Sequence, residues 1–470
     1  DEQAEPRHAA VDTNLEAAWQ NYLAEQEVPG APDEGGRRLV WMVLGACLMT
    51  SVALWWFSTP HGAIHSTADA LTAAGRITGM VAGYLLLVQV LLMSRVAWLE
   101  RWIGAHYLMS WHRDLGGALL LLVLGHIAFI ILGYAGQYHA GVQQEAWTVI
   151  TTFPSMVSAT IATAILVATG FLAIRAVRRL LPYEVWYYLH VCTYLILILG
   201  YGHQFANGEE LHAGVGFGRS YWIGLYLFVI ACLIWGRVIT PLRLNLKHKL
   251  RFAEAIDEGA GMVSLYIAGK RLTELPVQAG QFFRWRFLAR GQWWQAHPFS
   301  LSEAPNGKWL RLTIKMVGNH TRALPYLRPG VRVFAEGPSG VFTADRRVAP
   351  RALLIAAGSG IAPIRALLED LPHGTTVLYR ATSEQDIVFR EELDELAARG
   401  GDRVLYVLGR RGDRWPAYVF SPKGMREIVP DVRRRDVYLC GPPGMVKQAL
   451  HTLRRLRVPQ DQIHLDPFEF

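Results

Sequence analysis

Two apolar stretches with a histidine at either end decide the fold of this chain. Residues 112–126 read HRDLGGALLLLVLGH, and residues 190–203 read HVCTYLILILGYGH. The histidines lie fourteen and thirteen positions apart, which is nearly four helical turns and about 20 Å along a helix axis. We therefore predict two helices, each with two histidines on one face and at matching depths.

Six apolar spans, which overlap these two stretches, fill the first half of the chain. They are Leu39–Phe57, Leu71–Met93, Leu115–Tyr134, Thr148–Ile174, Val185–Tyr201 and Tyr221–Ile239. A helix of about 20 apolar residues crosses the hydrocarbon core of a bilayer, and soluble proteins rarely bury six helices of this kind. The sequence thus predicts an integral membrane protein in contact with the lipid bilayer.

Basic residues indicate how the spans are oriented. They cluster before span one, between spans two and three, between spans four and five, and after span six, whereas loops 58–70, 135–147 and 204–220 hold only Arg219. Loops rich in Lys and Arg stay in the cytoplasm. We therefore expect a protein of the bacterial inner (plasma) membrane with both termini in the cytoplasm.

Charge and cysteine content exclude other classes of site. The net charge of the 470-residue chain is +8, but the basic residues lie at the ends of apolar spans and form no tract with interleaved aromatics, so we expect no nucleic-acid partner. The four cysteines stand far apart and include no CxxC metal or redox motif. They are Cys47, Cys192, Cys232 and Cys440.

Changes in composition and hydrophobic pattern divide the chain into four segments. Residues 1–36 are a polar cytoplasmic segment with one amphipathic helix, 37–245 the six-helix domain, 246–348 a small β-barrel and 349–470 an α/β nucleotide-binding domain. Alternating apolar residues predict the strands of the barrel. These strands are Val263–Ile267, Phe282–Phe287, Leu310–Met316 and Val331–Ala335.

The four histidines indicate haem ligands. Helices three and five run in the same direction, so His112 and His190 share the inner level, and His126 and His203 share the outer level. Low-spin haem iron takes one imidazole on each side, so each facing pair can clamp one porphyrin. The alternatives are another histidine-bound metal, or plain polar contacts between membrane helices.

A glycine-rich turn indicates a nucleotide site. It follows the predicted strand Ala352–Ala357 and opens the predicted helix Ile364–Leu371, and its residues are Gly358, Ser359, Gly360, Ile361, Ala362 and Pro363. Glycines let the backbone approach a pyrophosphate, which the N–H groups at a helix start can bind. Arg380, at the end of the next strand, suits a 2′-phosphate and favours NADPH over NADH; Arg410 and Arg411 assist it or are solvated.

These features, with three further motifs, resemble the ferric reductase and NADPH oxidase family over residues 39–470. The further motifs are His297-Pro298-Phe299-Ser300, Lys315 with the turn Gly318-Asn319-His320-Thr321, and Cys440-Gly441-Pro442. The resemblance implies a six-helix transmembrane bundle that binds two b-type haems. A ferredoxin-reductase-like module would follow, with an FAD-binding antiparallel β-barrel and an α/β nucleotide-binding domain.

The resemblance also implies roles for these motifs. Residues 297–300 would bind the flavin, Lys315 and Thr321 would meet the FAD pyrophosphate, and residues 440–442 would lie below the nicotinamide, with Cys440 near the hydride path. Phe470 matches a terminal aromatic residue that covers the flavin until nicotinamide displaces it.

Two positions bear on the electron acceptor. Arg76 lies near the outer end of span two, and we predict that it meets a haem propionate or the acceptor, because a charge within a bilayer usually has a function. Superoxide-producing animal relatives have a further histidine four positions after the outer ligand of span three. The residue at that position here is Ile130, which departs from their pattern.

We therefore expect an enzyme, an NAD(P)H oxidase or ferric reductase-type flavocytochrome. It would pass electrons from cytoplasmic NADPH, via FAD and two bis-histidine b-haems, to an extracytoplasmic acceptor, with O2 giving superoxide. One alternative is reduction of an Fe(III) chelate. Another is an electron-relay subunit for a quinone or a periplasmic protein, although no protein partner is required. A transporter with four transport histidines would leave the nucleotide motifs unexplained.

Overall fold

The computed structural model describes residues 34–59, 62, 64–174, 177, 180–181, 183–211, 216–410 and 412–466. The predicted amphipathic helix of the N-terminal segment, Arg411 and Phe470 lie outside the described residues. Internal contacts divide the chain into two compact units, with the boundary between Ile239 and Thr240. The sequence placed this boundary six residues later, after residue 245.

Long apolar helices make up the first unit. Their bounds are α1 Glu34–Ser58, α2 Thr67–Leu92, α3 Ala97–Ile103, α4 Ala105–Gln137, α5 Val142–Thr152, α6 Met156–Ala173, α7 Tyr183–Val191, α8 Tyr194–Asn207 and α9 Gly216–Ile234. A π-helical turn, Trp235–Ile239, and α10, Thr240–His248, follow α9. Six helical stretches among the described residues are long and apolar enough to cross a membrane, and each overlaps a predicted span. This confirms an integral membrane protein.

Two of the predicted spans are broken helices. Pro154 separates α5 from α6, because proline has no N–H to donate and the preceding residue, Phe153, takes an extended conformation with ψ 141°. The single predicted span Thr148–Ile174 is therefore wrong in its first part. The second break, at residues 192–193, separates α7 from α8, where Thr193 Oγ1 donates to the carbonyl of His190 at 2.6 Å.

The strands of the second unit form two three-stranded antiparallel sheets. Their bounds are β1 Arg251–Gly259, β2 Met262–Ala268, β3 Phe282–Phe287, β4 His297–Ser300, β5 Trp309–Lys315 and β6 Val333–Ser339. The sheets have the orders β1-β2-β5 and β4-β3-β6. Isolated bridges between Arg251 and Arg332 and between Leu301 and Leu312 join their edges. Alternate residues of β3 point into the core, where Phe283, Trp285 and Phe287 are fully buried.

The helix after span six belongs with these strands. Asn245 on α10 donates from Nδ2 to the carbonyl of Ala335 on β6 at 2.8 Å, and its Oδ1 accepts from the N–H of Ala335 at 2.9 Å. This reciprocal pair copies the bonding of a neighbouring strand. This pairing places α10 in the soluble unit, so the boundary between the two units lies before α10, earlier than the composition of the chain indicates.

A parallel sheet forms the last part of the chain. Its strands are β7 Arg351–Ala357, β8 Thr376–Ala381, β9 Arg403–Leu408, β10 Arg435–Cys440 and β11 Ile463–Leu465, in the order β11-β10-β7-β8-β9. The chain builds outwards from β7 to β9 and then returns to β10, so the order reverses between β7 and β10. Ligands of open α/β sheets bind at the carboxyl ends of the strands, at such a reversal.

A short helix, α11 Asn319–Ala323, lies between β5 and β6. The helices that connect and cover the strands of the parallel sheet are α12 Ile361–Asp370, α13 Arg390–Gly400, α14 Arg414–Val419, α15 Pro422–Ile428 and α16 Pro443–Arg455. Helix α12 begins at Ile361, three residues before the predicted start. Pro363 is therefore the third residue of the helix, where its missing N–H still costs no intrahelical hydrogen bond.

Candidate functional site

The two histidine pairs predicted from the sequence lie ring to ring in the membrane unit. His112 on α4 and His190 on α7 have ring centroids 5.8 Å apart. His126 on α4 and His203 on α8 have centroids 6.1 Å apart. The structure thus brings together the partners that helical spacing predicts, even though a turn interrupts the second helix between α7 and α8.

A backbone carbonyl orients the ring of each histidine on α4. Nδ1 of His126 lies 2.7 Å from the carbonyl oxygen of Gly75, and Nδ1 of His112 lies 3.2 Å from that of Gln89. A carbonyl oxygen only accepts, so Nδ1 of each ring carries the proton and donates it. The lone pair of each ring is then on Nε2, which is the arrangement that a metal-binding imidazole needs.

The outer histidine on α8 has a different neighbour. The amide nitrogen of Asn207 lies 3.1 Å from Nδ1 of His203 and donates to the carbonyl of Pro154 at 2.9 Å. With this nitrogen towards the ring, Nδ1 of His203 accepts. Ligation of a metal through Nε2 requires the amide to turn its oxygen towards the ring.

Glycines make room for the outer pair. A Cβ atom on Gly79 of α2 would lie 2.6 Å from Nδ1 of His126, and one on Gly75 would lie 2.7 Å from the side chain of Ile130. Real side chains do not approach so closely, so α2 and α4 pack at this distance only because these residues are glycines. No sequence motif marked Gly75 or Gly79 as part of the site.

The ring spacing fits haem. A bond between a metal and an imidazole nitrogen is about 2 Å long and the ring centre lies about 1 Å further, so two axial imidazoles hold their centroids about 6 Å apart. Among the described residues, no group of three or more His, Cys, Asp or Glu side chains could hold a metal ion by itself. Haem iron needs only two protein ligands because the porphyrin supplies the other four.

Arg76 lies beside the outer pair but is already engaged. Its Nη2 lies 2.5 Å from Oε2 of Glu209 and 3.1 Å from Oε1 of Glu210. Glu210 is 2% exposed, so the guanidinium group and this carboxylate neutralise each other away from water. Contact of Arg76 with a haem propionate or the acceptor stays a prediction.

In the second unit, buried polar atoms surround the predicted flavin stretch. Arg286 Nε, Gln292 Oε1, Gln295 Oε1 and both ring nitrogens of His320 are buried and make no hydrogen bond to the described residues. Buried polar groups in proteins are almost always hydrogen-bonded. A polar ligand at β4 would satisfy them, so these residues fit FAD.

His320 packs against the flavin stretch. Its ring centroid lies 4.2 Å from that of His297, and the ring of His297 is stacked on Phe299 at 6.1 Å. Burial, together with the neighbouring His297, lowers the pKa of His320 to about 4. The imidazole is therefore neutral near pH 7, when it can both donate and accept a hydrogen bond.

The two residues predicted to contact the FAD pyrophosphate, Lys315 and Thr321, have different surroundings. Lys315 lies exposed at the end of β5. The Thr321 hydroxyl is occupied within its own turn, where it accepts from the N–H groups of Val317 and Gly318 and donates to the carbonyl of Gly318, each at 3.1 Å. Thr321 therefore shapes the turn, and a contact of its hydroxyl with FAD stays a prediction.

The predicted flavin and nicotinamide motifs meet at Asp466. The Ser300 hydroxyl donates to Oδ2 of Asp466 at 3.4 Å, and the Cys440 thiol donates to its carbonyl at 3.6 Å. Burial, followed by the charge of Asp466, raises the pKa of Cys440 well above its usual value. The thiol stays protonated and is no nucleophile, and nothing in the sequence pointed to Asp466.

The two turns of the nucleotide domain touch where the strand order reverses. A Cβ on Gly441 would lie 3.1 Å from the backbone of Ala357, and a Cβ on Gly360 would lie closer still to the carbonyl oxygen of Cys440. Arg380 at the end of β8 pairs with Ala357 at the end of β7. The glycine turn, residues 440–442 and Arg380 thus lie together at the carboxyl ends of the strands.

Family models match three parts of the chain. The ferric reductase-like transmembrane component matches residues 78–201, an FAD-binding domain matches residues 259–342, and an oxidoreductase NAD-binding domain matches residues 354–451. The first match contains His112, His126 and His190, and it ends two residues before His203. The second contains the flavin stretch, and the third contains both the glycine turn and residues 440–442.

Several bacterial proteins are similar to part of the chain. Ferredoxin–NADP reductase B of Sorangium cellulosum (strain So ce56) is 32% identical over 189 residues, which are 36% of this chain and 77% of that protein. The ferredoxin reductase component of 3-ketosteroid-9-alpha-monooxygenase from Mycobacterium tuberculosis (strain CDC 1551 / Oshkosh) is 28% identical over 240 residues, 47% of this chain and 65% of that protein. The crystal structure of the flavohem-like FAD/NAD-binding domain of nitric oxide dioxygenase from Vibrio cholerae O1 biovar El Tor matches at 24% identity and a TM-score of 0.40, over 47% of this chain and 99% of that one.

Proposed function

The chain belongs to the ferric reductase and NADPH oxidase-like family of membrane oxidoreductases, and on this basis we propose that it passes electrons from NADPH, through FAD and two b-haems, to an acceptor across the membrane. The observation that carries the proposal is the pair of facing imidazoles at each of two levels, with centroids 5.8 and 6.1 Å apart. Haems held by His112 and His190 at one level and by His126 and His203 at the other would give electrons a route through the bilayer.

The soluble unit would bind the two nucleotides. The neutral His320, Arg286 and two glutamines around β4 would hold FAD, and the two turns at the carboxyl ends of β7 and β10 would hold NADPH. FAD supplies the step between the two-electron chemistry of nicotinamide and the one-electron chemistry of haem iron. The chain's own task is to orient the nicotinamide against the flavin and to keep water out.

Arg380 supports NADPH as the donor. It ends β8 beside the glycine turn, where dehydrogenases specific for NAD carry an acidic residue that binds the ribose hydroxyls. A guanidinium group there matches the charge and geometry of a 2′-phosphate. We therefore propose NADPH over NADH.

The direction of transfer follows from the loops. The spans are flanked by basic residues on the side that carries the soluble unit, so NADPH would be oxidised in the cytoplasm of a bacterial cell. His112 and His190 would serve the inner haem, and His126 and His203 the outer haem. The membrane potential, negative inside, favours outward movement of each electron by about 2.3 kcal/mol per 100 mV.

The acceptor that the outer end favours is O2, with superoxide as the product. Both arginines described there are engaged by protein groups: Arg76 by Glu209 and Glu210, and Arg219 by the carbonyl of Leu211 at 3.2 Å. A small neutral acceptor needs no cation for docking, whereas an anionic Fe(III) chelate does. Chelate reduction, or relay to a quinone or a periplasmic protein, is the alternative.

A reduction experiment tests this proposal. The purified chain, supplied with FAD and haem, is mixed with NADPH under argon, and then with O2, an Fe(III) chelate or a quinone. We expect reduced b-type haem bands, fastest reoxidation by O2, and superoxide that a superoxide dismutase removes. Faster reoxidation by the chelate or the quinone would replace O2 as the acceptor, and haem that NADPH cannot reduce would overturn the proposal.

A further inference from the structure

A buried arginine connects the flavin-binding strands to the nucleotide-binding helices. Arg311 on β5 is 3% exposed. Its Nη1 and Nη2 donate in parallel to the two carboxylate oxygens of Glu392 on α13, at 2.9 and 3.0 Å. The guanidinium also lies 4.4 Å from the ring centroid of Phe389. Arg311 of the flavin-binding domain thus makes a bidentate ion pair with Glu392 of the nucleotide-binding domain.

The carboxylate of Glu392 has a second arginine partner within the nucleotide domain. Oε2 of Glu392 also accepts from Nε of Arg365 on α12 at 2.8 Å, and Arg365 pairs with Glu369 on the same helix at 2.8 Å. Glu369 then returns to the flavin domain, where its Oε2 accepts from the N–H of Ala304 at 2.6 Å. The network therefore crosses between the domains twice.

The two crossings end close to the two predicted binding motifs. Ala304 is four residues after Ser300, at the end of the flavin stretch. Arg365 and Glu369 lie on α12, which begins at Ile361 within the glycine turn. The network therefore connects the strand expected to hold the flavin with the turn expected to hold the dinucleotide.

Stability alone does not explain such a network. A buried ion pair often contributes little net free energy, because both charges lose their hydration, but it disfavours every arrangement that separates them. Burial raises the pKa of Glu392, and its hydrogen bond and ion pair with Arg311 outweigh burial, so the pKa lies below its usual value. Glu392 is thus ionised near pH 7, and both partners of the ion pair are charged.

We propose that Arg311 and Glu392 are positioning residues for hydride transfer. Their ion pair fixes the position of the nucleotide-binding turn relative to the flavin strand. The inference rests on the proposed function. In that step the C4–H bond of the dihydronicotinamide breaks, and its hydrogen and both electrons form a bond to N5 of the flavin. NADPH is oxidised to NADP⁺ and the flavin is reduced. A displacement of about 1 Å slows such a step by roughly 100-fold.

The test compares Glu392→Gln and Arg311→Lys with a matched control in the full-length, FAD-loaded chain. Glu392→Gln keeps the shape but removes the charge, and Arg311→Lys keeps the charge but not the two-pronged geometry. The control is Glu395→Gln on the same helix, because Glu395 makes an exposed ion pair with Arg399 at 3.1 Å. Stopped-flow absorbance under argon measures flavin reduction at saturating NADPH and the charge-transfer band between reduced flavin and NADP⁺.

We expect flavin reduction at saturating NADPH to slow by about 10- to 100-fold in both variants, with a weakened charge-transfer band. FAD content and the concentration of NADPH that gives half the maximal rate should stay within about twofold, and the control should match the wild type. Loss of one partner of a buried ion pair lowers the melting temperature, so the assay is run at a temperature at which both variants are folded. Variants that fold, bind FAD and reduce it at the wild-type rate would overturn the inference. A wild-type flavin that neither NADPH nor NADH reduces would instead overturn the proposed function, and the inference with it.

Discussion

The membrane unit and the soluble unit build their sites by opposite means. In the membrane unit, two histidines nearly four turns apart on one helix each meet a histidine of another helix. Backbone carbonyl groups orient the rings of His126 and His112. In the soluble unit, the backbones of two turns approach each other where the strand order reverses, and we propose that side chains such as Arg380 select among ligands. Helical spacing reveals the first kind of site, whereas strand order reveals the second.

Removal of one ring from the outer pair should have the largest effect. His203→Ala would leave the proposed outer haem with one protein ligand, so we expect loss of the outer haem and at least a 100-fold loss of acceptor reduction. Flavin reduction by NADPH should continue, because it takes place in the other unit. Haem content and stopped-flow flavin reduction are the measurements. His139→Ala, at an exposed turn of the same outer face, is the control. An equal loss of flavin reduction in a folded His203→Ala variant would contradict the assignment of flavin reduction to the soluble unit.

A substitution that adds volume beside the same pair should have the next largest effect. Gly79→Val places a Cβ 2.6 Å from Nδ1 of His126, so the ring must move, and we expect the outer haem to be lost or weakened while the inner haem remains. Gly117→Ala serves as the control, since a Cβ on Gly117 meets nothing within 4 Å. Two haems at wild-type occupancy in Gly79→Val would show that the close packing of α2 on α4 does not position the pair.

In the soluble unit, a change of one side chain should alter selectivity and leave the chemistry intact. Arg380→Ala should raise KM for NADPH by roughly 10- to 100-fold, as expected for loss of a charged phosphate contact, and leave KM for NADH nearly unchanged. Steady-state kinetics with both nucleotides is the measurement. Parallel changes for the two nucleotides would remove Arg380 from recognition of the 2′-phosphate.

The smallest effect concerns pH. The folded pKa of His320, about 4, lies below its ordinary value of 6.5, so between these pH values the unfolded chain binds more protons than the folded chain. His320 therefore makes the free energy of unfolding fall as pH drops from 6.5 to 4, and adds no pH dependence above this window. Thermal melting at pH 7.5 and pH 5 should show a smaller loss of stability for His320→Phe than for the wild type. An equal loss would mean that His320 is charged in the fold.

Sequence patterns predict the parts of this molecule that repeat. The spans and the histidine pairs follow the helical period, and β3 follows strict alternation with its predicted bounds. Strand β4 was not predicted, because Pro298 is uncommon within a strand and confines it to an edge. The start of α12 was misplaced and the break at Pro154 was missed, because hydrophobic patterns locate helix ends poorly.

Contacts between distant residues follow no pattern in the sequence. Arg311 and Glu392 lie on different domains. The sequence around each of them predicts no more than a charged side chain in contact with solvent. His320, Gln292 and Gln295 became candidate flavin contacts only through their buried, unsatisfied polar atoms. Asp466 joins the motifs of Ser300 and Cys440, but an aspartate near the end of a chain carries no signal.

Spectroscopy of the wild-type chain, purified with haem freely supplied, tests the central claim most directly. Two bis-imidazole sites predict two b-type haems per chain, both six-coordinate and low-spin in the oxidised and reduced states, and neither able to bind carbon monoxide. A chain without b-type absorption bands, or with five-coordinate high-spin haem, would contradict the assignment of His112, His126, His190 and His203 as axial ligands.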